Sequence, residues 1–164
     1  MPAQILIMLY NTLILPHLSY CNIVWGNSSA ANLNKLHILQ KRVVRYITNA
    51  ERCEHSAPLF KNLDLLNIFD IYRYQLGSFM YKCVNNMLPH TFCNFYTTSG
   101  TMHSYNTRNA DKLYNCPVRS NVFQNSVRCN GSKLWNSLSN VCIHCTSLAI
   151  FKSHYKSILL HNYI

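Results

Sequence analysis

A chain of 164 residues is long enough for one domain, or one with an appendage, and its 49% hydrophobic content with eleven Tyr and seven Phe argues against disorder. Fifteen Lys and Arg against five Asp and Glu give a formal charge of +10; this attracts polyanions, nucleic acid above all, but the cations are spread along the chain and mark no site alone. The eight Cys follow no secretory leader, and several sit in apolar patterns (Cys21, Cys83, Cys93), so reduced thiols in an intracellular protein, cytoplasmic or nuclear and not secreted, are expected.

Residues 3–15 read as a short apolar helix without a charged side chain. Pro16 has no amide hydrogen and clashes with the preceding turn, which predicts a stop or kink near Leu15. The run Leu9–Gly26 is apolar but too interrupted to cross a bilayer, so no membrane partner is expected. Leu18, Tyr20, Cys21, Ile23, Val24 and Trp25 then read as a buried turn or short helix, with Pro16 and Trp25 as structural anchors. Ser28 or Ser29 can cap a helix over about 30–48, whose positions Leu33, Leu36, Leu39, Gln40, Val43, Val44 and Ile47 recur at three- and four-residue spacing. On another face lie Lys35, Arg42 and Arg45, with Lys41 beside them and no carboxylate at i+4 to neutralise them. That face is either a solvated surface or a phosphate-contacting ridge.

Ala50–Leu66 reads as a linker with one helical turn started near Pro58. Asn67 and Asp70 form a weak capping box for a helix over about 68–86, with Ile68, Ile71, Tyr72, Gln75, Leu76, Phe79, Met80, Cys83 and Val84 on a wide core-facing stripe. Asn85, Asn86 and Pro89 end it. Periodicity fails from His90 to Asn121. Within that irregular region, His103, Tyr105, Asn106 and Arg108 combine a ring, hydrogen-bonding groups and a permanent cation. They suit a phosphate with a stacked base, or equally the pinning of a loop through backbone bonds. A helix over about 120–129, stopped at Asn130-Gly131, a short segment anchored by Trp135, and a final helix over 148–161 capped by Ser147 complete the chain. In the final helix Leu148, Phe151, Tyr155, Ile158 and Leu159 are expected inward. The fold class is all-α: five or six helices in a bundle with an irregular loop region at about 90–120.

Catalytic chemistry is sparse. Glu51, Glu54, Asp64, Asp70 and Asp111 are all the carboxylates, with no pairing suited to two magnesium ions and no glycine-rich phosphate loop. Cys142-Ile143-His144-Cys145 is the one CxxC, without the second ligand pair that a structural zinc site uses, so ordinary thiols are expected and no metal site is assigned. The eight His lie in no nucleophile–base frame. The chain is not expected to be an enzyme.

The segments LYNTLILPHLSYCNIVWGN, LNKLHILQKRVVRYITNAERCEHSAPLFKNLDLLNIFDIYRYQLGSFMYK, HSYNTR, GSKLWNSL and FKSHYKSILL, in this order and spacing, resemble the carboxy-terminal part of reverse transcriptases from non-LTR retrotransposons of the LINE type, in the group with jockey-like elements. The likeness runs from about Leu6 to near the end. It implies that residues 1–50 are a thumb-like helical segment, whose basic helix lies near a template–primer duplex, and that 51–164 are a post-thumb region. Possible contacts with RNA or DNA carry over to Lys35, Lys41, Arg42, Arg45, His103, Tyr105, Asn106 and Arg108, and no further. Full-length relatives have an endonuclease, fingers and a palm with paired aspartates that needs Mg. None of these has a counterpart in the residues of this chain, so no cofactor is expected; in full-length relatives the palm is the expected intramolecular partner. With Met1 just ahead of the thumb-like segment, a remnant of a truncated or degenerate element, or a mis-split gene, is expected: non-catalytic and nucleic-acid-binding, or alternatively an interaction scaffold without activity of its own.

Overall fold

A computed structural model describes residues 2–92, 94–102, 109–115 and 117–163. It is 67% helical, and no strand forms among the described residues, in agreement with the all-α expectation. The expected number of helices is too low. Helices of seven residues or more are α1 (Ala3–Leu9), α4 (Ala30–Thr48), α5 (Ser56–Asn62), α6 (Ile68–Val84), α9 (Val127–Ser137) and α11 (Leu148–His161). The remainder are one-turn pieces: α2 (Leu15–Ser19), α3 (Asn22–Trp25), α7 (Ser99–Met102), α8 (Asn121–Gln124) and α10 (Asn140–Ile143). Periodicity over so few residues is no signal, so single turns escape a sequence reading.

Compactness divides the chain into Met1–Gln75 with Tyr155–Ile164, and Leu76–His154. In the first unit the core gathers Tyr10, Val44, Ile47, Leu59, Phe60, Leu65 and Tyr163, with Leu6, Ile7, Ile14 and Leu15 packed against it. Burying one such apolar side chain contributes roughly 1.5–3 kcal/mol before entropy is counted.

Pro16 does not stop the first helix. Between α1 and α2 the turns widen into a π segment, Tyr10–Ile14, closed by the Leu15 amide on the Tyr10 carbonyl. The wider turn absorbs the donor that proline lacks, and helix continues to Ser19. Cys21 then takes a left-handed conformation (φ 48°) and is exposed, contrary to its expected burial. Trp25 is half-buried and donates its indole N–H to the Tyr20 carbonyl at 2.7 Å.

α4 has the expected bounds, although the Ser29 side chain makes no capping bond. Leu39, expected inward, is 54% exposed, whereas Gln40 is 2% exposed. That amide is a structural hub. Its Nε2 donates to the Tyr10 hydroxyl (2.7 Å) and the Leu66 carbonyl (2.9 Å), and its Oε1 accepts the Ile68 amide (2.9 Å). One polar side chain thereby ties α4 to the π segment and satisfies an orphan amide at the start of α6.

The capping box at α6 is only half as expected. Asn67 Oδ1 accepts the Asp70 amide at 3.0 Å, but the reciprocal bond runs through Tyr163. The Tyr163 hydroxyl accepts the Asn67 amide (2.9 Å) and donates to Asp70 Oδ2 (2.7 Å). Burial, together with that bond, raises the Tyr163 pKa far above its ordinary value. Val84 and Ile158, both expected inward, are each 42% exposed; Leu160 takes the core position instead.

In the second unit, Trp135 is buried as the expected anchor, its ring 6.5 Å from Tyr81 and 6.1 Å from Phe151. The expected helix over 120–129 and its stop at Asn130-Gly131 are corrected. α8 ends at Gln124, Ser126 caps α9 through the Cys129 amide, and α9 runs straight through Gly131. A Cβ at Gly131 would lie 2.4 Å from Tyr96 Oη and 2.6 Å from Met80 Sδ, so the glycine serves close packing and not chain reversal. α11 has the expected bounds, with Ser147 Oγ accepting the Ile150 amide.

In the irregular region, Thr98 and Leu113 form an isolated antiparallel bridge. The amide side chain of Asn136 brackets Leu113, accepting its N–H at 3.0 Å and donating to its carbonyl at 2.8 Å. The motif residues His103, Tyr105, Asn106 and Arg108 lie outside the described residues.

Candidate nucleic-acid interface

Four cations of the first unit, Lys41, Arg42, Arg45 and Arg52, come together on α4 and the loop after it, which also carries Glu51 and Glu54. Ile38, Lys41, Arg42, Arg45, Tyr46 and Asn49 fall at i, i+3, i+4, i+7, i+8 and i+11, which places them along one side of a helix. Asn49 ends α4 in a left-handed conformation (φ 52°), with the Ala50 amide returning to the Arg45 carbonyl at 3.0 Å. Asparagine tolerates this conformation as a C-terminal cap. The chain reverses there and brings Ala50 and Arg52 to the same open groove, of about 410 Å³.

Arg45 holds this reversal in place. Its Nε and Nη2 both donate to the Glu54 carbonyl, at 3.0 and 2.7 Å. Glu54 in turn accepts the Glu51 amide through Oε2 at 3.2 Å. Two of the five guanidinium donors are therefore committed to the loop, and Arg45 acts first as a positioning residue. Among the described residues the ion pairs are Arg73 with Asp70 and Lys156 with Asp64. Lys41, Arg42 and Arg52 are in neither, and no carboxylate-bearing residue lines the groove. Lys35 stands on the exposed side of α4, seven residues before Arg42, about 10 Å along the axis, and does not line the groove.

Uncharged side chains share this face with the cations. Tyr46 is 75% exposed, Ile38 50% and Leu39 54%. Beneath it, His37 stacks against Phe60 (6.2 Å between ring centres) and meets Phe69 edge-on at 5.3 Å. Burial, and then the neighbouring Lys41 charge, hold the His37 pKa below its ordinary value. The sequence reading therefore finds three of the four groove cations and misses Arg52, whose position depends on the Asn49 turn and the Arg45 clamp. A cation a few residues beyond the expected end of the helix is the trace of it in the sequence.

Among the described residues, the other candidate groups are engaged elsewhere. Asp70 is engaged by Asn67, Arg73 and Tyr163, and Asp64 by Lys156; these carboxylates do not fit a paired magnesium site. Among the described residues no group of three or more His, Cys, Asp or Glu could hold a metal ion. Cys142 is fully buried, and Cys145 donates to the Val141 carbonyl. Burial and the neighbouring Cys142 raise the Cys145 pKa, the opposite of what a reactive thiolate needs. Among the described residues no helix is long and apolar enough to cross a membrane. Compared with protein-family models, curated proteins and solved structures, the chain matches none.

Proposed function

We propose that this chain is the thumb-like and post-thumb part of a reverse transcriptase of the non-LTR retrotransposon type, acting as a non-catalytic nucleic-acid-binding element with no polymerase active site of its own. The observation that carries this reading is the groove itself: Lys41, Arg42, Arg45 and Arg52 line it with no carboxylate among them. Guanidinium forks match phosphate oxygens in pairs, and Lys41 adds a point charge beside them. The family likeness supplies the identity of the polyanion, since LQKRVVR is the stretch similar to the thumb helix.

The direct test measures binding of the full chain to nucleic acid and to polyglutamate of equal charge. Nucleic acid is expected to bind at least tenfold more tightly, with Arg42→Ala and Arg52→Ala each weakening it. Equal binding of polyglutamate, or indifference to both substitutions, would overturn the proposal.

A second reading, an interaction scaffold without activity, draws on a different observation. Residues 1–34 contain no Lys, Arg, Asp or Glu, yet Ile5, Met8 and Leu13 on the first helix are 40%, 58% and 62% exposed. Apolar surface of this kind marks contact with another protein surface. Under this reading Leu13→Lys abolishes partner capture or self-association and leaves nucleic-acid binding unchanged; a loss of nucleic-acid binding in that variant would count against it.

A further inference from the structure

The groove on α4 is built from more than charge. A ridge that reads only phosphates has no use for an exposed aromatic ring, because a duplex turns phosphates outward and keeps its base faces stacked inside. Here Tyr46 is 75% exposed and Ile38 50% exposed, and both line the same groove as Lys41, Arg42 and Arg52. Tyr46 follows Arg45, whose guanidinium is tied back to the Glu54 carbonyl. That bond holds the loop carrying Arg52 against the helix, so Tyr46, Arg42 four residues before it on α4 and Arg52 from the loop line one groove. An exposed aromatic ring sharing a groove with cations suits a strand whose bases are unpaired. The ring stacks a base in a sequence-tolerant way, and the cations follow the backbone on either side.

Resting on the nucleic-acid reading above, but departing from the duplex that the family likeness implies for this helix, we infer that the groove takes unpaired nucleic acid, with one base stacked on Tyr46 and the adjoining phosphates held by Arg42 and Arg52 with Lys41. Single-stranded RNA and DNA share this chemistry. Arg45 contributes mainly by holding the loop that carries Arg52, and its remaining donors add to the positive field.

The experiment uses the full chain and fluorescence anisotropy, with labelled twelve-nucleotide single strands of RNA and of DNA, and a blunt duplex of the same length, at one salt concentration. Single strands are expected to bind about tenfold or more tightly than the duplex. Tyr46→Ala is expected to weaken single-strand binding roughly tenfold, the loss of one stacked base, while leaving the duplex affinity unchanged. Tyr46→Phe keeps the ring and is expected to retain single-strand binding. Because Tyr46 is so exposed, an unchanged helical circular dichroism spectrum is expected for both variants, and it separates a contact effect from unfolding. Equal affinity for duplex and single strand, with Tyr46→Ala affecting neither, overturns this inference while leaving phosphate binding by the cations intact. Absence of binding to all three ligands, or binding indifferent to Arg42→Ala and Arg52→Ala, overturns the underlying nucleic-acid reading. A preference between the two single strands tells which sugar the groove favours and supports the inference in either case.

Discussion

Replacing Gln40 with Leu keeps the size of the side chain and removes every polar contact it makes. Three groups lose their partner: the Tyr10 hydroxyl, the Leu66 carbonyl and the Ile68 amide. Tyr10 and Ile68 are each 1% exposed, so water cannot replace the missing bonds without opening the core. A buried polar group left unsatisfied costs roughly 1–3 kcal/mol, and leucine returns part of that through burial, so the variant should lose about 3 kcal/mol. The loss falls in the first unit, which contains Trp25, whereas Trp135 lies in the other. Urea unfolding followed by Trp25 fluorescence in a Trp135→Phe background therefore isolates it. A double-mutant cycle sharpens the test. Tyr10→Phe should cost about 1 kcal/mol with Gln40 present and nothing, or less than nothing, once Gln40→Leu has already orphaned the hydroxyl. A loss below 1 kcal/mol for Gln40→Leu, or strict additivity in the cycle, would refute the reasoning that this amide joins α4 to its neighbours.

Three other outcomes follow from the packing. Gly131→Ala should destabilise the unit around Trp135 by about 1–3 kcal/mol, read by that tryptophan's fluorescence, because the new methyl meets Tyr96 Oη and Met80 Sδ; an unchanged midpoint would show that α9 has room to spare. His37, whose pKa is depressed in the folded state, binds its proton more readily when unfolded. Stability should therefore fall as pH drops below about 6.5, by up to 1.36 kcal/mol per pH unit, and His37→Phe should flatten that part of the profile measured by thermal unfolding. Tyr163→Phe leaves the Asn67 amide and the Asp70 carboxylate short of a partner and should cost about 2–3 kcal/mol near neutral pH. Because the Tyr163 pKa is raised on folding, the wild-type chain should also lose stability as pH climbs above about 10, a component that the phenylalanine variant lacks in alkaline unfolding curves.

Long periodic segments are legible in this chain. The bounds of α4 and α11 follow from their apolar spacing, and the start and end of α6 from Asn67 and the Asn85-Asn86 pair. What escapes are features set by tertiary contact. Pro16 can sit within a helix because a π turn upstream takes up its missing donor, an accommodation that local propensity does not encode. Gly131 carries the same residue type as a helix stop but serves the approach of Tyr96 and Met80. Gln40 occupies an apolar register position and proves to be the polar hub. On the candidate interface, Lys41, Arg42 and Arg45 are legible as the charged side of one helix. Arg52 is not, because only the reversal at Asn49 and the Arg45–Glu54 bond bring it to the groove.

The central claim is that a specific set of cations in this groove holds nucleic-acid phosphates. It is tested most directly by the salt dependence of binding, comparing the wild-type chain with the Arg42→Ala/Arg52→Ala variant. Neutralising about three phosphates with Lys41, Arg42 and Arg52 predicts a slope of roughly −2.1 for log K against log salt on a single strand. Removing two of those cations should bring the slope to about −0.7 and weaken binding across all sequences alike. A slope that the double substitution leaves unchanged would place the phosphate contacts elsewhere on this basic chain and contradict the account.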